Sequence, residues 1–185
     1  LHETPTDMSL RSTVSEVSKE AKEENCVYMH LAPPCNSYSQ ARYPKIRSTA
    51  YPEGKPGLGA GDKETLQLSN AITGNTFALA TTMHNMGVAV SVENPNGSLL
   101  WKTAAFKAWQ KKSGAVEYVY DCCHYGEEYR KRTSVWSTAN LDGLEKECNC
   151  KAKNKVHVNL SGWRDKSKPE QENRPTKGTA AYPLA

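Results

Sequence analysis

The chain has no run of about 18 consecutive apolar residues, so it gives no signal for a membrane-spanning helix. It has no charged start leading into an apolar stretch and a small-residue cleavage site, so no secretory leader is read. Its six cysteines (Cys26, Cys35, Cys122, Cys123, Cys148 and Cys150) lack the spacing of a small disulfide scaffold. A chain of 185 residues is also long enough to build one domain with a core and needs no such staples. Reduced thiols are therefore expected, in a protein of the nucleus or cytoplasm. Strong charge of one sign is missing too. A net charge of +4 permits a polyanionic partner without demanding one. The hydrophobic fraction of 37% and mean hydropathy of −0.72 are polar for a compact enzyme. Leu1 rather than Met opens the chain, so a piece of a longer protein is expected.

The apolar spacing predicts alternating helices and strands. Leu10, Val14, Val17 and Ala21 recur at helical intervals, with Ser9 as a cap. Val27 to Leu31 is β-branched and aromatic and reads as a short buried strand. Prolines and glycines between Asn36 and Gly61 exclude a regular element, and a loop of that length is usually functional. Asp62 reads as the cap of a long helix marked by Leu66, Ile72, Leu79, Met83 and Met86 and stopped by Gly87. Val88 to Val92 is a second buried strand, Leu99 to Trp109 a helix, and Val116 to Tyr120 a third strand. Arg130 to Trp136 reads as an edge strand that begins basic. Strand, helix and strand in succession predict parallel pairing, hence an α/β fold with a mainly parallel sheet and flanking helices. Residues 1–138 would form this core. Residues 139–175 are Lys-rich and irregular, and 176–185 would return to the core.

Val27–Leu31 stops at Pro33-Pro34, which cannot continue a ladder, and Cys35 follows. On its own a free cysteine is most often a small buried hydrophobe. Here the segment Pro33-Pro34-Cys35-Asn36-Ser37-Tyr38-Ser39 resembles the nucleophile loop of the cytosine-C5 DNA methyltransferases, Pro-Pro-Cys-Gln-x-Phe-Ser. Glu93-Asn94-Pro95, after the second strand, resembles that family's Glu-Asn-Val; taken alone, Glu93 could equally cap the next helix. Tyr125-Gly126 with Arg130 and Arg132 resembles its Tyr-Gly and Gln-x-Arg-x-Arg, one residue short in register. The plain alternative for those arginines is a solvated edge.

The resemblance implies a class I, Rossmann-like methyltransferase core and S-adenosylmethionine as methyl donor. It implies a cytosine-containing DNA duplex as partner and a base flipped from the stack. Cys35 would be the nucleophile and Glu93 the acid at N3. Arg130 or Arg132 would stabilise charge near O2. Asp7, Pro33 and Asn94 would face the cofactor. Ser39, Arg42, Lys45, Arg47 and Tyr125 would face DNA. The family's Gly-rich cofactor turn has no counterpart before Pro33, and Ala181-Tyr182-Pro183 is a loose echo of its closing Gly-Asn-x-Val-Pro segment.

Other readings use the same residues. A degenerate relative would bind nucleic acid without chemistry. A cysteine hydrolase would pair Cys35 with His30 or His124, but no oxyanion site is legible. Cys148, Cys150 and His157 are ligand types zinc favours, with Cys122, Cys123 or His124 as a fourth. Cys-x-Cys is tighter than the usual zinc pair, so the sequence does not favour a metal.

Overall fold

A computed structural model describes residues 7–158. Residues 1–6 and the return segment 176–185 lie outside the described residues, as does 159–175 of the Lys-rich region. The elements run in the order α1 (Ser12–Glu23), β1 (Tyr28–Leu31), α2 (Ala60–Asn85), β2 (Ala89–Pro95), α3 (Ala104–Ser113), β3 (Val116–Asp121) and β4 (Arg132–Ser137). One-turn 3-10 helices occupy Leu99–Lys102, Cys122–Tyr125 and Cys150–Lys153.

The sheet order is β1-β2-β4-β3. Only β1 and β2 are parallel, with Leu31 opposite Val92; β4 runs antiparallel to both β2 and β3. The expectation of a mainly parallel, Rossmann-like sheet is thereby corrected. The physical reason is the connection 122–131, shorter than the roughly dozen residues a parallel crossover needs, so β4 must turn back on β3. The expected edge strand is also corrected. β4 lies inside the sheet, and Thr133, Ser134, Val135 and Ser137 are buried. Its basic residues sit at or before its first position, where they say nothing about the strand's neighbours.

Strand alternation gives the sheet two different faces. Met29, Leu31, Val90, Val92 and Trp136 point to one, where they join the main core. Helices α2 and α3 cover that face, and α1 packs along α2 through Val14, Val17 and Ala21. At its centre Phe77 meets Phe106 edge-on at 5.8 Å and Trp109 at 5.7 Å. Phe106 in turn meets Trp136 at 5.0 Å, which ties both helices to β4. Tyr28, His30, Ser91, Glu93, Tyr118, Tyr120 and Val135 point to the other face by register. That face carries a smaller cluster in which Leu141 and Leu144 pack with Tyr120 and Val135.

The helix ends follow local chemistry. α2 closes with Gly87 at φ +83°, where Gly87 N–H donates to His84 and Val88 N–H to Met83. Its N-cap is Gly59, and Asp62 stands inside the first turn instead, where a carboxylate favours the dipole. The helix expected over 99–109 breaks at Thr103, which is extended and accepts a hydrogen bond from Phe106 N–H as the cap of α3. Truncation of Phe77 to Ala would empty the centre of the aromatic cluster. We expect Phe77→Ala to cost about 3–5 kcal/mol in urea unfolding with the m-value unchanged.

Candidate functional site

Because β1 and β2 are parallel neighbours, the chain leaves both at the same end of the sheet. Ligands of open α/β sheets collect at such carboxyl ends. Pro33 is buried just past β1, and its carbonyl accepts a hydrogen bond from the Asn94 side-chain amide at 2.8 Å. Asn94 is fully buried, and its Oδ1 has no partner among the described residues. Cys35 follows, half-buried, and its carbonyl accepts from Tyr38 N–H at 3.0 Å, so the thiol stands at the start of a tight turn. Glu93 sits beside Asn94 on β2, buried, on the opposite face of the strand. Its carboxylate lies 3.7 Å from Lys131 Nζ.

Strand alternation separates the basic residues. Lys131 shares the parity of Thr133 and Val135, the latter opposite Glu93; Arg132 is opposite Asp121 on the other face. Arg130 and Arg132 both turn to Asp121, at 3.0 and 3.6 Å, and Arg132 also meets Glu147 at 2.8 Å. The structure thus brings Lys131 to Glu93, and neither arginine. Lys131 stands in the same basic cluster, and its parity with Val135 along β4 sets it on the Glu93 side.

Asp121 is fully buried. Burial opposes its charge, but hydrogen bonds from Arg130 and from Cys148 N–H, with Arg132 nearby, outweigh that and hold its carboxyl below the ordinary value.

The loop between β1 and α2 is a packed structure. Tyr38 is buried, with its hydroxyl 2.8 Å from that of Thr73 on α2. Arg47 lies over the Tyr38 ring at 3.8 Å and donates to Pro52 O and Ser69 Oγ at 2.6 and 2.7 Å. Glu53 accepts from Ala104 N–H at the start of α3. Arg47, expected on DNA phosphates, is 2% exposed and gives both terminal nitrogens to internal acceptors, while it also borders the cavity described next. Ser39, Arg42 and Lys45 do line one cavity of about 190 Å³, together with Lys55 and Thr49. Arg42 is paired with Asp62 at 3.2 Å.

The remaining expected residues are placed elsewhere. Asp7, expected at the cofactor, is exposed before α1 and accepts from Ser9 N–H at 2.8 Å. That local turn, made with the Ser9 side chain and backbone, lowers its pKa. The Tyr125 hydroxyl donates to Leu144 O at 2.7 Å, and its ring stands edge-on to Tyr120, so it holds the 139–146 segment.

Cys123, Cys148, Cys150 and His157 come together and could hold a metal ion; their ligand atoms all lie within 4.8 Å of one another. Of the residues considered for a fourth ligand, Cys122 is instead buried near Thr133, and Cys123 completes the group. Burial first, then the neighbouring thiols, pushes the Cys123 thiol up to about 12.

No family model matches the chain, and no curated protein or solved structure is significantly similar to it.

Asp121→Asn removes a carboxylate whose folded pKa is depressed. Such a group contributes stability above its unfolded pKa of about 3.9, lost as pH falls through the folded value. With chelator present throughout, Asp121→Asn should cost about 2 kcal/mol at neutral pH and should lose less stability than the parent on acidification. Equal acid limbs in urea titrations of the two proteins would remove Asp121 from this role.

Proposed function

We propose that the shared end of β1 and β2 is the nucleophile site of a DNA (cytosine-5)-methyltransferase-like protein. The observation that carries this reading is the buried hydrogen bond from Asn94 to Pro33, which ties the segment leading to Cys35 to the strand that bears Glu93. Two family-like motifs, far apart in sequence, are thereby in direct contact.

C5 of cytosine is not nucleophilic. Addition of the Cys35 thiolate at C6, with a proton delivered to N3, converts the ring to an enamine whose C5 can attack an electrophile. Cysteine suits this step because it adds readily and leaves again. Glu93 is the proton carrier at N3. Lys131, beside Glu93, takes the electrostatic role that the sequence suggested for an arginine. Loss of the C5 proton to a base then expels Cys35 and restores the aromatic ring. S-adenosylmethionine would supply the methyl group. Pro33 and Asn94 are the residues assigned to it, and the unpartnered Oδ1 of Asn94 leaves an acceptor for it there. The cavity lined by Ser39, Arg42, Lys45 and Lys55 suits the backbone phosphates of a duplex whose target base has been flipped out.

Ring addition can be followed without a methyl donor, because the enamine exchanges its C5 hydrogen with solvent. The chain should release label from C5-tritiated cytosine in duplex DNA. Cys35→Ala should abolish the release, and Glu93→Gln should slow it about 10²–10⁴-fold. Release that persists in Cys35→Ala would overturn the nucleophile assignment.

A second reading, nucleic-acid binding without chemistry, is favoured by the same basic cavity. It predicts duplex binding that is indifferent to Cys35→Ala, without tritium release. In either reading Lys45→Ala should weaken binding and flatten its salt dependence by about 0.9 in log–log slope.

A further inference from the structure

We propose that Cys123, Cys148, Cys150 and His157 bind one Zn²⁺ in a closed structural site that clamps residues 146–158 onto the end of β3. The geometry is near that of a loaded centre. With Zn–S of about 2.3 Å and Zn–N of about 2.1 Å, a tetrahedron has S–S edges of about 3.8 Å and S–N edges of about 3.6 Å. Cys148 Sγ lies 3.5 Å from His157 Nε2, and no pair in the group exceeds 4.8 Å. The ligand set selects the ion. Thiolates with one imidazole suit zinc, whereas calcium and magnesium need oxygen ligands. Four protein ligands fill a tetrahedral shell, which leaves no position for water or substrate; this is the pattern of a structural site.

The segment itself needs such a tie. Of residues 145–158 only Cys150 is buried, while Val156 is 95% exposed and Lys151, Lys153 and Lys155 face solvent. No apolar surface of its own holds it to the domain. The backbone is nonetheless shaped around the cluster. Lys155 N–H donates to Cys150 O, Asn154 takes φ +53°, and Val158 N–H donates to Glu128 O. Lys146 bridges to Tyr120 on β3, and Cys148 N–H donates to Asp121 Oδ2 at 2.8 Å. Such outer hydrogen bonds hold metal ligands in orientation. Two charges on the ion against three thiolates leave one negative charge, and Arg130, held on Asp121, is a cation close to Cys148 and Cys123.

The site therefore reaches beyond its own loop. Asp121 accepts from Cys148 N–H and pairs with both Arg130 and Arg132. A zinc ion that fixes Cys148 fixes the carboxylate that positions both arginines. The clamp is independent of the chemistry proposed at Cys35.

The full chain, produced reduced in zinc-containing medium, tests this by native mass spectrometry with and without chelator. One retained zinc per chain, lost with chelator, is expected. Cys26→Ser should keep the ion, and Cys148→Ser and His157→Gln should lose it. Limited trypsin digestion supplies a readout that needs no variant. With free zinc at about 100 times Kd, opening of the segment, and so cleavage after Lys151, Lys153 and Lys155, should slow about a hundredfold relative to the chelated protein. No retained metal in the reduced parent chain would overturn the proposal. So would an ion kept by the Cys148→Ser/Cys150→Ser double variant, or cleavage rates that zinc does not change.

Discussion

The amide of Asn94 donates to the carbonyl of Pro33 across 2.8 Å, inside the protein. Much of the rest is arranged around that contact. Pro33 and Pro34 end β1 because proline cannot continue a ladder, so the chain must leave the sheet there with an unpaired carbonyl. A buried carbonyl without a partner is costly, and the Asn94 amide removes that cost. The bond also fixes where the following turn begins, and hence where Cys35 stands. It requires β1 and β2 to be parallel neighbours, because only then do Pro33 and Asn94 emerge at the same end. The parallel pair is a minority of the sheet, yet it is the part on which the site is built.

The loop that follows is held as firmly as a core element, and by polar groups. Tyr38 and Arg47 stack, and their polar atoms reach Thr73, Ser69 and Pro52. At 2% exposure the guanidinium gives its two terminal nitrogens to internal acceptors. Burial depresses the pKa of that guanidinium, and the Tyr38 ring beside it works the other way. At the end of β3 the same logic recurs with Asp121, a buried carboxylate that collects two arginines and a backbone amide. At both places a charged residue holds irregular chain that has too little apolar surface to fold by burial alone.

What the sequence revealed follows from the range of each interaction. The apolar spacing found α1, α2 and the strands to within a few residues. But β1, read as buried, is an edge strand with Val27 80% and Tyr28 43% exposed, because its neighbours are set by strand order and not by local pattern. Gly87 marked the end of α2 because only a left-handed residue closes that turn. Strand order and direction were not legible. They depend on how β4 inserts between β2 and β3, and the basic start of β4 pointed to an edge strand instead. Arg47 read as a surface cation because nothing local records that Tyr38 and Ser69 surround it. Lys131 stands in the same basic cluster as the arginines, and alternation from Val135 fixes its side of the strand. Cys148, Cys150 and His157 were visible as ligand types, but their meeting with Cys123 depends on the pairing of Lys146 with Tyr120.

The contact between two distant motifs makes Cys35 the residue whose reactivity matters most. The most direct measurement uses a duplex in which the target cytosine is replaced by 5-azacytosine, whose C6 accepts a thiolate without a methyl donor. The complex is denatured and digested, and the peptide that carries the nucleotide is sequenced. A nucleotide on Cys35, formed faster with Glu93 than with glutamine at that position, is the expected result. A nucleotide on Cys26, Cys122 or Cys123, or no adduct on any cysteine, would contradict it.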